Sequence, residues 1–163
     1  MAGGRLAPVE EYLPRGQSRG RVLVVSDHRP LNLGHAAILC AHGYTVYTAV
    51  TCTDVGRIFE TYQPGDMDLI VFASLVHGWH HLEGERRPGG IPETTDAEWQ
   101  TRNMRAIIDM VSQRQERAPE VVIAAELMDY GWYSITAEAL ERAGVRYHTY
   151  SASDPRAILA FLK

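Results

Sequence analysis

The apolar residues of this chain fall into short runs, and these runs predict five strands that alternate with helices. The strand-like runs are rich in Val, Ile and Leu, which is typical of parallel strands buried on both faces. Between them, apolar residues recur every three or four positions, as they do on one face of a helix. The predicted strands cover residues 21–27, 44–50, 68–73, 120–127 and 145–150.

Helix-capping residues divide the intervening segments. Thr53 or Asp54 can begin one helix, and Thr95 or Asp96 can begin the next, because short polar side chains accept hydrogen bonds from free N–H groups. Glycines are suited to end helices, and a proline suits the first turn of the last one. The predicted helices cover residues 31–43, 55–63, 96–117, 134–144 and 155–163.

Five strands alternating with five helices predict an α/β fold in three layers, with a parallel sheet covered on both faces. The compact arrangement for five strands is the doubly wound, flavodoxin-like order 2-1-3-4-5. Residues 1–20 are rich in Gly, Pro and Arg and are predicted to form a flexible arm, which leaves residues 21–163 as one domain. A loop at 74–95 is about twice as long as an ordinary strand-to-helix connection.

Charge and composition exclude several classes of function. The net charge of −4 gives no electrostatic case for binding nucleic acid or an acidic membrane surface. No apolar run approaches the roughly 20 residues of a membrane span, and the N-terminus lacks the apolar core of a signal peptide. Dinucleotide, Walker and hydrolase motifs are absent. We therefore expect a cytoplasmic protein with no resident cofactor.

Three stretches resemble the receiver domain of bacterial response regulators. They are RVLVVSDHRP (21–30), HGYTVYTA (42–49) and ALERAGVRYHTYSASDPRAILAFL (139–162), and the resemblance extends over nearly all of residues 21–163. In that family, two acids after the first strand and an aspartate ending the third strand hold Mg²⁺, and this aspartate accepts the phosphoryl group. A Thr or Ser ending the fourth strand and a Lys ending the fifth bind the phosphoryl oxygens.

The resemblance implies a degenerate phosphorylation pocket in this chain, because the matching positions are Ser26, Asp27, Ala73, Ala125 and Ser151. One acid of the pair remains, the phosphoacceptor has become an alanine without a nucleophile, and the hydroxyl that ends strand four is missing. No shift of register supplies the lysine, since the single lysine of the chain is its last residue. A serine follows Ala73, but strand alternation predicts that it points to the opposite face.

A receiver that has lost this chemistry implies a regulatory module rather than an enzyme. We expect it to act through protein–protein contacts in signalling or transcriptional control. The resemblance places the partner surface on the face of helix 4, strand 5 and helix 5, where Tyr147 and Tyr150 would offer aromatic contacts. Either another protein or a second copy of the chain, forming a homodimer, could bind there.

The long loop offers a second set of candidate residues for a ligand or a partner: His77, Trp79, His80, His81 and Trp132. The three imidazoles could ligate a transition metal, although no second cluster completes a metal-binding spacing. Alternatives therefore remain open at this stage.

One alternative is a small-molecule, corrinoid or metal-binding domain of the same architecture that binds its ligand at the carboxyl edge of the sheet. Another is an enzyme that uses Asp27, His28, His77 and Glu126 at that edge as a general base with an acid partner.

Overall fold

The fold is a six-stranded sheet flanked by helices, seen in a computed structural model that describes residues 9–74, 76, 97–128 and 135–162. The strands are β1 (Glu10–Tyr12), β2 (Arg21–Val25), β3 (Thr45–Ala49), β4 (Leu69–Phe72), β5 (Glu120–Ala124) and β6 (His148–Tyr150). The helices are α1 (Arg29–Ala41), α2 (Cys52–Tyr62), α3 (Ala97–Ser112) and α4 (Ala137–Arg142).

The strand order is β1-β3-β2-β4-β5-β6, and every neighbouring pair except β1 and β3 is parallel. Counted without β1, the five parallel strands have the order 2-1-3-4-5 along the chain. The predicted fold class and strand order are therefore confirmed. Helix α1 packs with the segment Pro155–Phe161, while α2 contacts α3 and α3 contacts α4, which gives the two helical layers.

Strand β1 corrects the prediction of a flexible arm for residues 10–12. It pairs antiparallel with β3, placing Glu11 opposite Tyr47. The Tyr47 hydroxyl donates to Glu11 Oε2 at 2.6 Å, and the Tyr62 hydroxyl donates to the carbonyl of Val9 at 3.0 Å. Backbone pairing and these side-chain bonds together offset the entropy cost of ordering a terminal segment.

Helix α2 begins at Cys52, three residues before the predicted start at residue 55. Thr51 is the cap: its hydroxyl accepts from the N–H of Asp54 at 3.0 Å, and the Asp54 carboxylate accepts from the N–H of Thr51 at 3.2 Å. This reciprocal pair satisfies two N–H groups that a helix start otherwise leaves without partners. The helix ends at Tyr62, and the next residue, Gln63, has a φ of 46° in the left-handed region.

Three further element boundaries differ from the prediction. Helix α3 ends at Ser112, and beyond it the Gln115 amide binds both the N–H and the carbonyl of Met67. The predicted fourth strand stops at Ala124 and continues as a 3₁₀ turn, and Pro155–Phe161 is a 3₁₀ segment instead of an α-helix. Repeated apolar spacing does not separate these two helix types.

The bodies of the central strands form the core. Residues 22–25 of β2, 69–72 of β4 and 122–124 of β5 are all fully buried. Burial on both faces accounts for their continuous apolar sequence. No helix within the described residues combines the length and the hydropathy that crossing a membrane requires.

Candidate functional site

The predicted pocket residues come together at one edge of the sheet, where the parallel strands end. Val25 pairs with Phe72, and Phe72 pairs with Ile123, so the chain positions that follow these residues emerge side by side. At the next strand, Ala124 pairs with Tyr150. Strand register thus brings to this edge the five predicted positions Ser26, Asp27, Ala73, Ala125 and Ser151.

Ser26, Asp27 and Ser74 form a hydrogen-bonded group after β2 and β4, which we call the β2–β4 cluster. The Oγ atoms of Ser26 and Ser74 are 2.5 Å apart. The Ser74 hydroxyl lies 2.7 Å from Asp27 Oδ1 and also accepts from the Asp27 N–H at 3.1 Å. The prediction that Ser74 points to the opposite face is wrong, because the chain bends at Ser74 and strand alternation ends there.

Ser26 is fully buried and joins the cluster to helix α1. Its hydroxyl accepts from the His28 N–H at 2.9 Å, which satisfies a backbone donor at the start of the helix. Its carbonyl accepts from Asn32 Nδ2 at 3.1 Å, and its N–H donates to Ala49 O at 3.0 Å. The Ser26 hydroxyl and backbone are therefore held from several directions.

Ala73 follows β4, immediately before Ser74, and is 3% exposed. Its N–H donates to the carbonyl of Val25 at 2.9 Å, which extends the sheet pairing one residue beyond β4. A methyl group at this place offers neither a nucleophile nor a ligand for a cation. Ala125, which stands where the resemblance expects a hydroxyl, is exposed on the 3₁₀ turn after β5.

Glu126, Ser151, Ala152 and Ser153 form a second group after β5 and β6, which we call the β5–β6 cluster. Glu126 Oε2 accepts from the Ser151 hydroxyl at 2.7 Å, and Oε1 accepts from the Ala152 N–H at 2.9 Å. Ser151 and Ser153 Oγ atoms are 2.7 Å apart. A carboxylate therefore binds the residue that stands at the lysine position of the family.

The pKa of Glu126 reflects opposing effects. Burial raises it, but the hydrogen bonds from the Ala152 N–H and the Ser151 hydroxyl stabilise the carboxylate, and the net shift is downward. Glu126 is therefore ionised at neutral pH, so the charge that the β5–β6 cluster carries is negative.

A buried pair that the sequence did not predict, His35 and Tyr150, connects helix α1 to β6. His35 Nδ1 is 2.8 Å from the Leu31 carbonyl, and Nε2 is 2.7 Å from the Tyr150 hydroxyl. Since a carbonyl only accepts, Nδ1 carries the proton and Nε2 accepts from the tyrosine. Two neighbours of His35 on its helix, Ala36 and Leu39, are buried too, so its place on the apolar face was the available signal.

Burial governs the titration of this pair. It lowers the pKa of His35, with the Leu31 carbonyl acting weakly in the other direction. It also raises the pKa of Tyr150, and the negative charge of Glu126 adds to that effect. Tyr150 is 5% exposed, so its predicted place among the aromatic contacts of the partner surface is wrong. Tyr147 is only partly buried.

The candidates of the long loop, His77, Trp79, His80, His81 and Trp132, lie outside the described residues, as does most of 74–95. Across the ranges that the structure describes, no three His, Cys, Asp or Glu side chains come close enough to hold a metal ion. Of the residues suggested for an enzyme, Asp27 and Glu126 belong to different clusters.

Comparison with known proteins establishes the fold. No protein-family model and no curated protein matches the chain. A response regulator from Burkholderia pseudomallei, solved with a phosphorylated aspartic acid, a calcium ion and citrate, is similar at 13% identity and a TM-score of 0.51. The match covers 88% of this chain and 66% of that one, so this chain spans slightly less than two thirds of its length.

A second solved structure, the receiver domain of NtrX from Brucella abortus, is similar at 17% identity and a TM-score of 0.46, covering 85% of this chain and 94% of that one. At these identities, the likeness to the Burkholderia structure shows that the chain has the flavodoxin-like fold that receiver domains share.

Proposed function

We propose that this chain is a receiver-like regulatory module that is not phosphorylated on strand β4 and acts through protein–protein contacts. The observation that carries the proposal is Ala73, which follows β4 at the position that the resemblance matches to the phosphoacceptor aspartate of receivers. The hydroxyls of Ser26 and Ser74 belong to the β2–β4 cluster with Asp27, and are therefore engaged within the chain.

Charge at the edge of the sheet supports the same conclusion. Phosphoryl transfer requires fixed positive charge and donors around the phosphoryl oxygens. Here the position expected to hold a lysine is Ser151, and it binds the carboxylate of Glu126. A phosphoryl group in this place would face a negative charge, which opposes its binding.

Intact mass spectrometry after incubation with acetyl phosphate and Mg²⁺ tests the loss of phosphotransfer. We expect no mass increase corresponding to one phosphoryl group. The matched variant Ala73→Asp restores a carboxylate at the end of β4, and Ala73→Asn controls for the change in size. A phosphoryl adduct on the unmodified chain that hydroxylamine removes would contradict the proposal, because it would identify an acyl phosphate.

The proposed partner surface is the face formed by α4, β6 and Pro155–Phe161. Arg146 and His148 are exposed on it, and the ring of His148 stacks on Phe161 at a centroid distance of 4.7 Å. Such a charged and aromatic surface suits a protein contact. A second copy of the chain is the first partner to test.

Sedimentation velocity over a wide concentration range tests that partner. We expect a concentration-dependent dimer that the variant Arg146→Glu weakens. The matched control is Glu60→Arg on the exposed part of α2, far along the chain from this face. A monomer at every concentration, or equal weakening by both variants, would contradict dimerisation through this face.

A further inference from the structure

An open groove runs between the segment that follows β1 and the C-terminal half of helix α1. Residues from 13–19 line one side of it, and residues from 37–43 line the other. Its volume is about 610 Å³, within the roughly 300–1,000 Å³ of ligand-binding clefts. No described residue of α4, β6 or Pro155–Phe161 lines it, so the groove is separate from the proposed partner surface.

Apolar side chains are exposed along this groove. Within the described ranges, Leu13 and Leu33 are the two large apolar side chains that are exposed, at 66% and 41%. Leu33, Ala37 and Ala41 recur every fourth residue, so they lie along one side of α1. Ala37 and Ala41 are small and exposed, which leaves room for an apolar side chain of a ligand between the helix and Leu13. Exposed apolar residues that gather in one place and are rimmed by polar residues mark contact sites.

The groove is positively charged. Arg15 and Arg19 line it, and none of its described lining residues is acidic. The Arg19 Nη1 atom donates to the His42 carbonyl at 3.2 Å, which holds the guanidinium beside the groove. Within the described residues, neither arginine forms an ion pair with a carboxylate. A complementary ligand therefore carries negative charge, because it can supply the carboxylates that these guanidinium groups lack.

Main-chain groups beside the groove are available to a ligand as well. Residues 13–17 form no backbone hydrogen bond with the described residues. A Cβ atom added at Gly16 would meet no heavy atom within 4 Å, so the backbone there faces open space. An extended peptide carries donors and acceptors that match such main-chain groups. A fatty acid would match the apolar and the charged groups but not these.

We propose that this groove binds an acidic peptide segment of a partner protein. An apolar side chain of that segment packs between Leu13 and α1, while its carboxylates pair with Arg15 and Arg19. Its main chain forms hydrogen bonds with residues 15–17. Because this surface and the proposed dimer face share no described residue, either proposal can fail while the other stands.

Amide NMR of the whole chain during titration with two synthetic peptides tests the site. The first peptide, Asp-Glu-Leu-Leu-Glu-Asp, is acidic, and the second, Asn-Gln-Leu-Leu-Gln-Asn, keeps the leucines without the charges. We expect the acidic peptide to cause saturable shifts at Gly16, Gln17, Ala37 and Ala41, and the amide peptide to bind about five- to twentyfold more weakly. No saturable shifts at these residues, or equal affinity for the two peptides, would overturn the proposal.

Matched variants locate the effect in the groove. Arg15→Glu reverses a charge of the lining and should weaken binding of the acidic peptide about three- to tenfold. Arg146→Glu, at an exposed arginine outside the groove, should leave the affinity unchanged. Ala37→Glu should weaken binding more than Ala37→Gln, because both fill the same space and only the first adds a negative charge. Equal effects within either pair of variants would contradict the proposed site.

Two other occupants would give different results in the same spectra. Decanoate combines an apolar chain with one carboxylate, and tighter binding of decanoate than of the acidic peptide would assign the groove to small amphipathic acids. Shifts of the same signals when the chain alone is concentrated would assign the groove to a second copy of the chain. Either result would overturn the proposal of an acidic peptide.

Discussion

The β2–β4 and β5–β6 clusters lie on the same edge of the sheet, and in each a carboxylate accepts from a serine hydroxyl. The Glu126 carboxylate also accepts from the Ala152 N–H, whereas the Asp27 N–H donates to the Ser74 hydroxyl. They differ in how they are anchored. In the first, the buried Ser26 is bonded to the start of α1 and to β3. In the second, Glu126 is exposed, and its partners Ser151 and Ala152 are only partly buried.

This difference indicates that the edge of the sheet is more rigid at the β2–β4 cluster than at the β5–β6 cluster. A hydrogen bond in a buried place costs more to break than the same bond in water, because the released groups find no other partner. The buried His35–Tyr150 pair connects α1 to β6. We therefore expect stability to depend most on this pair, less on Ser26, and least on Glu126.

The largest effect should come from His35→Leu. This change leaves the buried Tyr150 hydroxyl without its partner and should lower the free energy of unfolding by about 1–3 kcal/mol. Chemical denaturation measures it. The double variant His35→Leu with Tyr150→Phe should recover part of the loss, since both polar groups are then removed. A double variant as unstable as the sum of the two single variants would contradict a direct bond.

The same pair should make stability depend on pH. The pKa of His35 is lowered in the folded state, so the unfolded chain binds the proton more readily. Stability is then full above the unfolded pKa of about 6.5 and falls as the pH drops below it, by at most about 1.4 kcal/mol per pH unit.

His35→Gln should reduce this slope between pH 6.5 and 5, measured by denaturant unfolding at a series of pH values. The control is His42→Gln, because His42 makes the same type of contact to the carbonyl four residues earlier, at 2.9 Å, but is exposed. If His42→Gln alone removed the slope, the assignment to His35 would be wrong.

A smaller effect is expected in the β2–β4 cluster. Ser26→Ala removes the acceptor of the His28 N–H and should cost about 1 kcal/mol. Ser74→Ala removes the acceptor of the Asp27 N–H, but solvent can replace it at that exposed place, so this change should cost about half as much. Thermal or chemical unfolding compares the two. Equal losses would show that burial does not distinguish these hydroxyls.

The smallest effect is expected at Glu126. Glu126→Gln weakens the bonds from Ser151 and Ala152, but solvent competes at this exposed place, so we expect about 0.5 kcal/mol or less at pH 7. Because the folded pKa is lowered, the difference from the parent chain should disappear as the pH falls through that pKa. A loss that persists unchanged at low pH would exclude the carboxylate charge as its cause.

The sequence predicted the bodies of the five parallel strands well, because a strand that is buried on both faces has a continuous run of apolar residues. It did not predict β1, since Glu10–Tyr12 is a short polar and aromatic segment held by cross-strand bonds to residues more than 30 positions away. Local pattern carries no information on such pairings.

The candidate site was predicted in part. Strand register allowed the edge positions to be identified, but the hydrogen bonds among them depend on backbone bends and could not be read from spacing. Ser74 illustrates this, because one bend reverses the face that alternation gave it. His35 illustrates it again, since a histidine on an apolar helix face does not reveal that its partner is Tyr150, 115 residues later.

The central claim is that the edge of the sheet lacks a working phosphorylation pocket, and one measurement tests it most directly. Amide NMR spectra would be recorded during titration with Mg²⁺ and beryllofluoride, which mimics a phosphoryl group on aspartate. We predict no saturable shifts at Ser26, Asp27, Ala73, Ser74 or Ser151. Saturable shifts confined to these residues would contradict the claim, because they would show that the edge still binds a metal-bound phosphoryl group.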